Sequence, residues 1–309
     1  LNCLSDQGRA GAMALLLEIC MLALTSNLTL FCAGEALMLS QEQLNTYWDK
    51  GYVVVPSMIS GKAVSGLSAA VDEFVEASRG VEKSNSVFDL DDAHTAEKPI
   101  LRRIKDPQKQ HPAFKAILSD DGVVAALTQI LGPNVRLYTG TQKVNLKPVG
   151  EQAPVNWHQD WATYPHTNDS LVSMSVFIDD VTEENGPLLG LPGTHRGPAY
   201  DHNGDDGTFV GAINAKKAGL DVSTAESFTG PAGTVSFHHV RVVHGSVVNR
   251  SDRTRRLLIY TFAAADAWPL SGTYTPRIIG PKEGESITLE DYDARIIAGE
   301  PTLEPRLEK

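Results

Sequence analysis

The sequence predicts a mainly β domain preceded by a short helical region. From Val135 onward, short segments of β-branched and aromatic residues alternate with clusters of Gly, Pro, Asn and Asp. This spacing is typical of an all-β sandwich or barrel, whereas alternating βαβ units would place longer helical patterns between the strands. The three helices that we predict all precede this region, so we expect helices to flank a β core.

Composition bounds the class of protein. The 309 residues, 42% of them hydrophobic, are enough for one large domain with a sizeable core. A net charge of -11 argues against a nucleic-acid surface, which needs a clustered excess of Lys and Arg. All three cysteines, Cys3, Cys20 and Cys32, lie near the N-terminus, so we predict no disulfide framework and a reducing, cytoplasmic location.

Residues 1–37 differ in character from the rest. The stretch from Met13 to Cys32 is apolar but contains Glu18, and it does not form a clean membrane span of about 20 residues, so we expect no stable membrane association. A secretory signal preceded by Arg9 is one interpretation. We favour an extension translated upstream of a start at Met38, followed by a single domain over residues 38–309.

The helical region contains clear start and stop signals. Ser40 and Gln43 have the spacing of a capping box, which predicts a helix to about Lys50 that ends at Gly51. The other elements predicted here are a strand at Tyr52–Val55, a helix capped by Ser60 that closes within residues 77–80, a loop over 81–99, and a helix from about Gly122 to Leu131.

The β-rich region contains seven predicted strands: Val135–Leu146, Val155–His158, Leu171–Ile178, Leu188–Leu191, Thr234–Phe237, Val240–His244 and Leu257–Phe262. Residues 198–232 are rich in Asp and Gly but lack the ligand order of an EF-hand loop, so we predict a solvated lid. The tail, residues 274–309, is predicted to wrap the surface of the barrel.

One motif carries the chemistry. His158 and Asp160 lie two residues apart in Asn-Trp-His-Gln-Asp, so both side chains project from the same side of an extended strand. A distant imidazole, such as that of His244, completes the two-histidine, one-carboxylate set that holds non-haem Fe(II) and leaves positions for a chelating cosubstrate and dioxygen. Arg255, eleven residues after His244, is placed to clamp a dicarboxylate.

These motifs resemble the phytanoyl-CoA dioxygenase family of Fe(II)/2-oxoglutarate oxygenases. Members carry His-x-Asp, a distal His followed by Gly-Ser, and an Arg eleven residues beyond it, and the similarity runs through roughly residues 38 to 265. The resemblance implies a double-stranded β-helix, a cupin-like jelly roll with flanking N-terminal helices. It also implies iron ligands and cosubstrate residues, which are His158, Asp160 and His244 for iron, Arg255 and Ser246 for the far carboxylate of 2-oxoglutarate, and Gln159, Lys143 and Arg103 near the cosubstrate pocket.

Two features qualify the resemblance. His238 and His239 compete with His244 as the third ligand, and we choose His244 because only it is followed by Gly-Ser and by the arginine. The family usually has Trp at the position of Ser175, which alternation places on the pocket side of its strand. A small hydroxyl there changes the packing of the cosubstrate or the space for substrate.

The predicted function is therefore an Fe(II)/2-oxoglutarate-dependent dioxygenase. It would use O2 to hydroxylate or otherwise oxidise a small organic substrate, releasing succinate and CO2. The alternative is a cupin-like metal protein that binds a metabolite or acts without 2-oxoglutarate. No nucleophile elbow, phosphate loop or cysteine in the β-rich region competes with the metal motif.

Overall fold

The computed structural model of the protein describes residues 38–150, 154–270, 296–300 and 306–307. The predicted extension over residues 1–37 and most of the predicted tail over 274–309 lie outside the described residues. All of the described residues belong to one compact unit.

Two antiparallel sheets form the body of this unit. The strands are β1 Tyr52–Val55, β2 Phe88–Leu90, β3 Leu101–Lys105, β4 Val135–Lys147, β5 Val155–His158, β6 Leu171–Phe177, β7 Leu188–Gly190, β8 Glu226–Phe228, β9 Val235–His239, β10 His244–Ser246, β11 Arg255–Ala264 and β12 Ile296–Ala298. The larger sheet has the order β1-β9-β6-β11-β4-β3-β2, with β12 beside β4, and the smaller sheet has the order β5-β10-β7-β8. The two sheets meet through an apolar cluster that includes Phe177 and Leu257 from the larger sheet and Phe228 from the smaller one.

Within the described residues, five α-helices accompany the sheets, and those with amphipathic faces cover the outer side of the larger sheet. They are α1 Gln41–Lys50, α2 Gly61–Ala77, α3 Pro107–Gln110, α4 Pro112–Ala116 and α5 Asp121–Leu131. The main core cluster joins Leu67 of α2 and Leu127 of α5 to Val176 and Leu258 of the central strands. Among the described residues, no helix has the length and apolarity needed to cross a membrane.

The start of the domain follows the predicted signals. The hydroxyl of Ser40 accepts a hydrogen bond from the Gln43 amide at 3.2 Å, and the Gln43 side chain accepts one from the Ser40 amide at 2.8 Å, which completes the capping box. Gly51 ends the helix at a φ of 86°, and a Cβ there would lie 2.5 Å from His195. Glycine is therefore required by both conformation and space.

Strand alternation gives the larger sheet an apolar outer face and an inner face on which polar side chains lie beside apolar ones such as Phe177 and Leu257. Val172, Met174 and Val176 of β6 face the helices and are fully buried in the core, as the sequence predicts. The intervening Ser173 and Ser175 face the other way. The inner face therefore carries hydroxyls and, on neighbouring strands, imidazole and amino groups.

Several predicted boundaries are corrected. The region 81–99, predicted as a loop, contains β2, and the lid region 198–232 contains β8. The predicted strand Val240–His244 is wrong, because the Val242 amide donates to the His239 carbonyl in a turn and pairing begins only at His244. The β-branched residues Val240, Val242 and Val243 favour a strand in the sequence, but in the structure they are fully buried in a turn between β9 and β10.

We predict that Tyr260→Phe lowers the free energy of unfolding by about 1–3 kcal/mol. The buried hydroxyl of Tyr260 donates to the Phe114 carbonyl at 2.8 Å, and its removal leaves that carbonyl unsatisfied. Urea unfolding followed by circular dichroism measures the change. Tyr260→Leu, which also removes ring packing, is expected to cost more, and an unchanged midpoint in Tyr260→Phe would contradict the prediction.

Candidate active site

The two histidines of the motif lie directly opposite each other on paired strands. β5 and β10 are antiparallel neighbours in the smaller sheet, and the register aligns His158 with His244. Their ring centroids are 4.1 Å apart. Asp160 opens a short 3-10 helix two residues after His158, and one ligand atom from each of the three residues lies within 4.8 Å of the others.

Backbone carbonyls orient both rings. Nδ1 of His158 lies 2.9 Å from the Asn156 carbonyl, and Nδ1 of His244 lies 3.0 Å from the Val242 carbonyl. Because a carbonyl only accepts, Nδ1 of each ring carries the proton and Nε2 presents a lone pair. Burial lowers the pKa of both imidazoles, which favours the neutral form that binds a metal.

Asp160 is held as an ionised carboxylate. The hydroxyl of Ser173 donates to Oδ2 at 2.7 Å, and Nε2 of His238 lies 3.6 Å from the same oxygen. Burial alone would raise the pKa of the Asp160 carboxyl, but the surrounding imidazoles hold it well below its usual range. This arrangement leaves Oδ1, which lies 3.7 Å from Nε2 of His158, for a metal.

A second cluster, at the far end of the inner face, is cationic. Arg255 of β11 is paired with Lys147 of β4, and the Lys147 ammonium donates to Ser246 Oγ at 2.8 Å and to the Val247 carbonyl. The Arg255 guanidinium donates to the Gly186 carbonyl at 2.7 Å, while its Nε has no partner among the described residues. Within that part of the chain, no carboxylate forms an ion pair with either cation.

Burial disfavours the charged forms of both side chains in this cluster. Burial, together with the neighbouring Arg255, lowers the pKa of Lys147 to about 8. Burial likewise lowers the pKa of Arg255 to about 10. Two adjacent buried cations without an anionic partner indicate a site for an anion.

Lys147 was missed by the sequence analysis. Its strand neighbours Lys143 and Asn145 share its face at a period of two, and this alternation next to Pro148 was the available signal. What marks Lys147 is its pairing with Arg255, and that pairing depends on a register that the sequence does not display.

Lys143 also faces inward and lies close to the metal motif. Burial lowers the pKa of Lys143, the Asp160 carboxylate opposes this effect, and the Arg103 guanidinium adds to it. Within the described parts of the chain, its ammonium has no hydrogen-bond partner. The structure therefore brings Lys143 to the site.

Gln159 and Arg103 are placed differently. The Gln159 side chain donates to the Pro198 and Arg241 carbonyls, at 3.1 and 2.7 Å, and accepts from the Tyr200 amide at 2.8 Å. Both of its amide protons are thus used, and we do not retain it as a cosubstrate contact. The Arg103 side chain is 52% exposed and pairs with Asp89 at 3.2 Å, so it lies at the edge of the site.

The remaining histidines and Ser175 complete the surroundings. His238 is buried beside the motif, with its ring centroid 4.4 Å from that of His244 and neither nitrogen hydrogen-bonded within the described residues. His239 instead accepts from the Arg241 amide at 3.2 Å. The Ser175 hydroxyl is buried on the inner face, also without a partner in the described chain.

Comparison with known proteins places this geometry in context. A profile of the family described as phytanoyl-CoA dioxygenase (PhyH) matches residues 47–257. The chain is 37% identical to a "probable alpha-ketoglutarate-dependent hypophosphite dioxygenase" of Stutzerimonas stutzeri, over 86% of this chain and 88% of that protein. It is 27% identical to an "L-proline trans-4-hydroxylase" of Streptomyces griseoviridis, over 75% of this chain and 90% of that protein.

Solved structures share the fold. EctD from S. alaskensis with bound Fe matches with a TM-score of 0.60 and 21% identity, over 76% of this chain and 79% of that one. The carbocyclase SnoK from nogalamycin biosynthesis matches with a TM-score of 0.59 and 22% identity, over 78% and 88% of the two chains. The predicted double-stranded β-helix is thereby confirmed.

We predict that His244→Ala weakens binding of a divalent transition metal by about 100-fold or more, whereas His238→Ala weakens it by at most about tenfold. His244 presents a lone pair to the site, while Nε2 of His238 lies 3.6 Å from Oδ2 of Asp160, the oxygen that faces away from the metal position. Titration with Co(II), followed by its d–d absorption, measures both affinities. Equal losses in the two variants, or a larger loss in His238→Ala, would reverse the assignment of the third ligand.

Proposed function

The chain belongs to the phytanoyl-CoA dioxygenase family and is an Fe(II)/2-oxoglutarate-dependent dioxygenase of a small substrate, and we propose that His158, Asp160 and His244 hold its iron. The donor set fits the metal, because each imidazole has one nitrogen fixed on a carbonyl and Asp160 has one oxygen fixed by Ser173. Bound iron would couple the oxidative decarboxylation of 2-oxoglutarate by dioxygen to oxidation of the substrate.

We assign the far carboxylate of 2-oxoglutarate to Arg255, Lys147 and Ser246. The observation that carries this assignment is the pair of adjacent buried cations, neither of which has a carboxylate partner in the described chain. Arg255 retains an unpartnered Nε, and Ser246 can donate its own hydroxyl proton because it accepts from Lys147. A carboxylate there would accept charge-assisted hydrogen bonds and fix the cosubstrate's orientation.

Lys143 and Ser175 are proposed to line the space between these two ends. Lys143 offers a cation near Asp160, and the Ser175 hydroxyl lies one strand pair away, across Ile259. A serine at this position leaves open the volume that a tryptophan would fill. The inner face therefore favours polar ligands and provides positive charge close to the metal.

The substrate is proposed to be a small polar anion. Hypophosphite is the first candidate, because the relative named for it is 37% identical over most of both chains. Its conversion to phosphite inserts one oxygen atom of dioxygen into a P–H bond, while the other enters succinate. The organic substrate expected from the sequence is the alternative. We also propose a cytoplasmic location, because all three cysteines lie outside the β-rich region.

We predict that 2-oxoglutarate binds about tenfold more weakly for each pH unit above about 8. The pKa of Lys147 is lowered to about 8, so the cation is complete below that pH and is lost as the pH rises through it. The carboxylates of 2-oxoglutarate stay ionised throughout this range, so they add no pH dependence. Anaerobic titration of the iron-loaded protein, followed by the visible charge-transfer band of the chelate, measures the affinity.

Two Lys147 variants are the controls for this prediction. Lys147→Arg keeps the charge above pH 8 and should flatten the profile, whereas Lys147→Met should bind weakly at every pH. His158→Ala should give no band, because it removes an iron ligand. A wild-type affinity that does not change between about pH 7 and pH 9 would contradict the role of Lys147.

Substrate turnover supplies a further test. With iron, ascorbate and 2-oxoglutarate, we expect hypophosphite to stimulate succinate formation and to yield phosphite in a 1:1 ratio, as followed by phosphorus NMR. L-Proline and ectoine, named in other relatives, are the comparison substrates. Succinate release that none of the three stimulates would reject these candidates, while the chelate band would still test the cosubstrate site.

A further inference from the structure

The cations of the inner face continue beyond the cosubstrate site. β3 pairs with β4 so that Lys105 lies opposite Lys143, while β4 pairs with β11 so that Lys147 lies opposite Arg255. Residues opposite each other in an antiparallel pair project from the same face. We use the term cationic face for five residues on three neighbouring strands: Arg103, Lys105, Lys143, Lys147 and Arg255.

The other face of the same strands is entirely different. Ile104, Val144 and Leu258 alternate with the cations and are fully buried against the helices. Arg256 of β11 also lies on this outer side, but it forms ion pairs with Asp179 and Asp72. The cations that lack such neutralisation are therefore concentrated on the side that carries the metal motif.

Exposure decreases along the cationic face. The Arg103 side chain is 52% exposed, Lys105 and Lys143 are half-buried, and Lys147 and Arg255 are buried. At the exposed end, a cavity of about 410 Å³ is lined by Asp89, Arg102, Arg103 and Lys105. The face thus runs from the protein surface to the proposed carboxylate site.

Few carboxylates neutralise this surface. Of the described residues that line the cavity, Asp89 alone is acidic, and it is shared between Arg102 at 3.5 Å and Arg103 at 3.2 Å. Lys105 bonds to the Asn85 carbonyl, a neutral partner. The exposed end is therefore locally positive on a chain whose net charge is -11.

We propose that Arg103 and Lys105 capture small anionic ligands at the surface and deliver them along the cationic face to Lys143 and the metal site. The proposal rests on the function proposed above and adds a recruitment step to it. Its ligands share one chemistry, that of a compact anion, which both 2-oxoglutarate and an oxyanion substrate possess. A positive cleft on a negative protein raises the local concentration of such ligands and excludes cations.

Recruitment of an anion changes its association rate, and this distinguishes recruitment from binding in the final complex. Electrostatic steering by a charged cleft raises association rates by about 10- to 1,000-fold and is screened by salt, whereas contacts in the final complex set the dissociation rate. Arg103 and Lys105 lie at the exposed end, so their loss should slow association and leave dissociation unchanged. The family resemblance implied a place for Arg103 near the cosubstrate pocket, whereas its exposure and its pair with Asp89 support a role at the outer end of the cationic face.

The first test measures 2-oxoglutarate association by anaerobic stopped-flow on the iron-loaded protein. We expect the double variant Arg103→Gln, Lys105→Gln to associate about five- to tenfold more slowly at low salt and at the wild-type rate in about 0.5 M NaCl, with unchanged dissociation. Lys62→Gln removes one charge from α2, on the outer side of the sheet, and should match wild type. Equal melting temperatures confirm that the variants are folded.

A second variant should change the association rate in the opposite direction. Asp89→Asn removes the carboxylate that partly neutralises the cavity, so it should speed association at low salt. Measuring the salt dependence of kcat/KM for substrate and for 2-oxoglutarate separately identifies which anion is recruited. Unchanged association in the double variant, or an altered dissociation rate alone, overturns this proposal; a wild-type protein that binds no 2-oxoglutarate overturns the proposed function as well.

Discussion

The pairing of β5 with β10 is the interaction on which the rest of the site depends. It places His158 opposite His244, so two imidazoles far apart in the chain share one face of a narrow ladder. The strands can approach this closely only because Gly245 lies between the ligand and Ser246, since a Cβ there would lie 2.7 Å from the Val155 carbonyl. The glycine of the His-Gly-Ser motif therefore has a steric cause. Any residue that separated these strands would move the metal ligand and the cosubstrate hydroxyl together.

Burial has opposite consequences at the two ends of the inner face. At the metal end it lowers the pKa of the imidazoles, and the neutral form that results is the one that coordinates a metal. At the other end it lowers the pKa of Lys147, which weakens the charge that an anion needs. Fixed charge there depends on Arg255, whose guanidinium stays protonated even with a pKa near 10. Pairing a titratable cation with a permanent one keeps the site attractive to a dicarboxylate while making its affinity depend on pH.

The sequence was sufficient wherever a local rule determined the outcome. The capping box at Ser40, the alternation that turns Ser173 and Ser175 inward, and the spacing of His158 and Asp160 all depend on neighbours within a few residues. The sequence was insufficient where strand register determines which side chains lie opposite each other. Lys147 matters because it lies opposite Arg255, and a register slip of one residue would have turned it to the other face. The family resemblance implied a place for Arg103 near the cosubstrate pocket, but its contact with Asp89 is set by the pairing of β2 with β3.

The position of Gln159 links the insertion after residue 198 to the metal. Gln159 lies between two metal-motif residues, yet its side chain turns away from them and bonds to the backbone at Pro198, Tyr200 and Arg241. The backbone amide of Gln159 donates to Nε2 of His202 at 2.8 Å. Three of these hydrogen bonds, with Pro198, Tyr200 and His202, thus fix the start of the insertion beside the strand that carries His158. Separating these buried groups would leave them without hydrogen-bond partners, which is costly. Movement of this segment cannot be independent of the His-Gln-Asp backbone, so the insertion is better described as an anchored wall at its start than as a free lid.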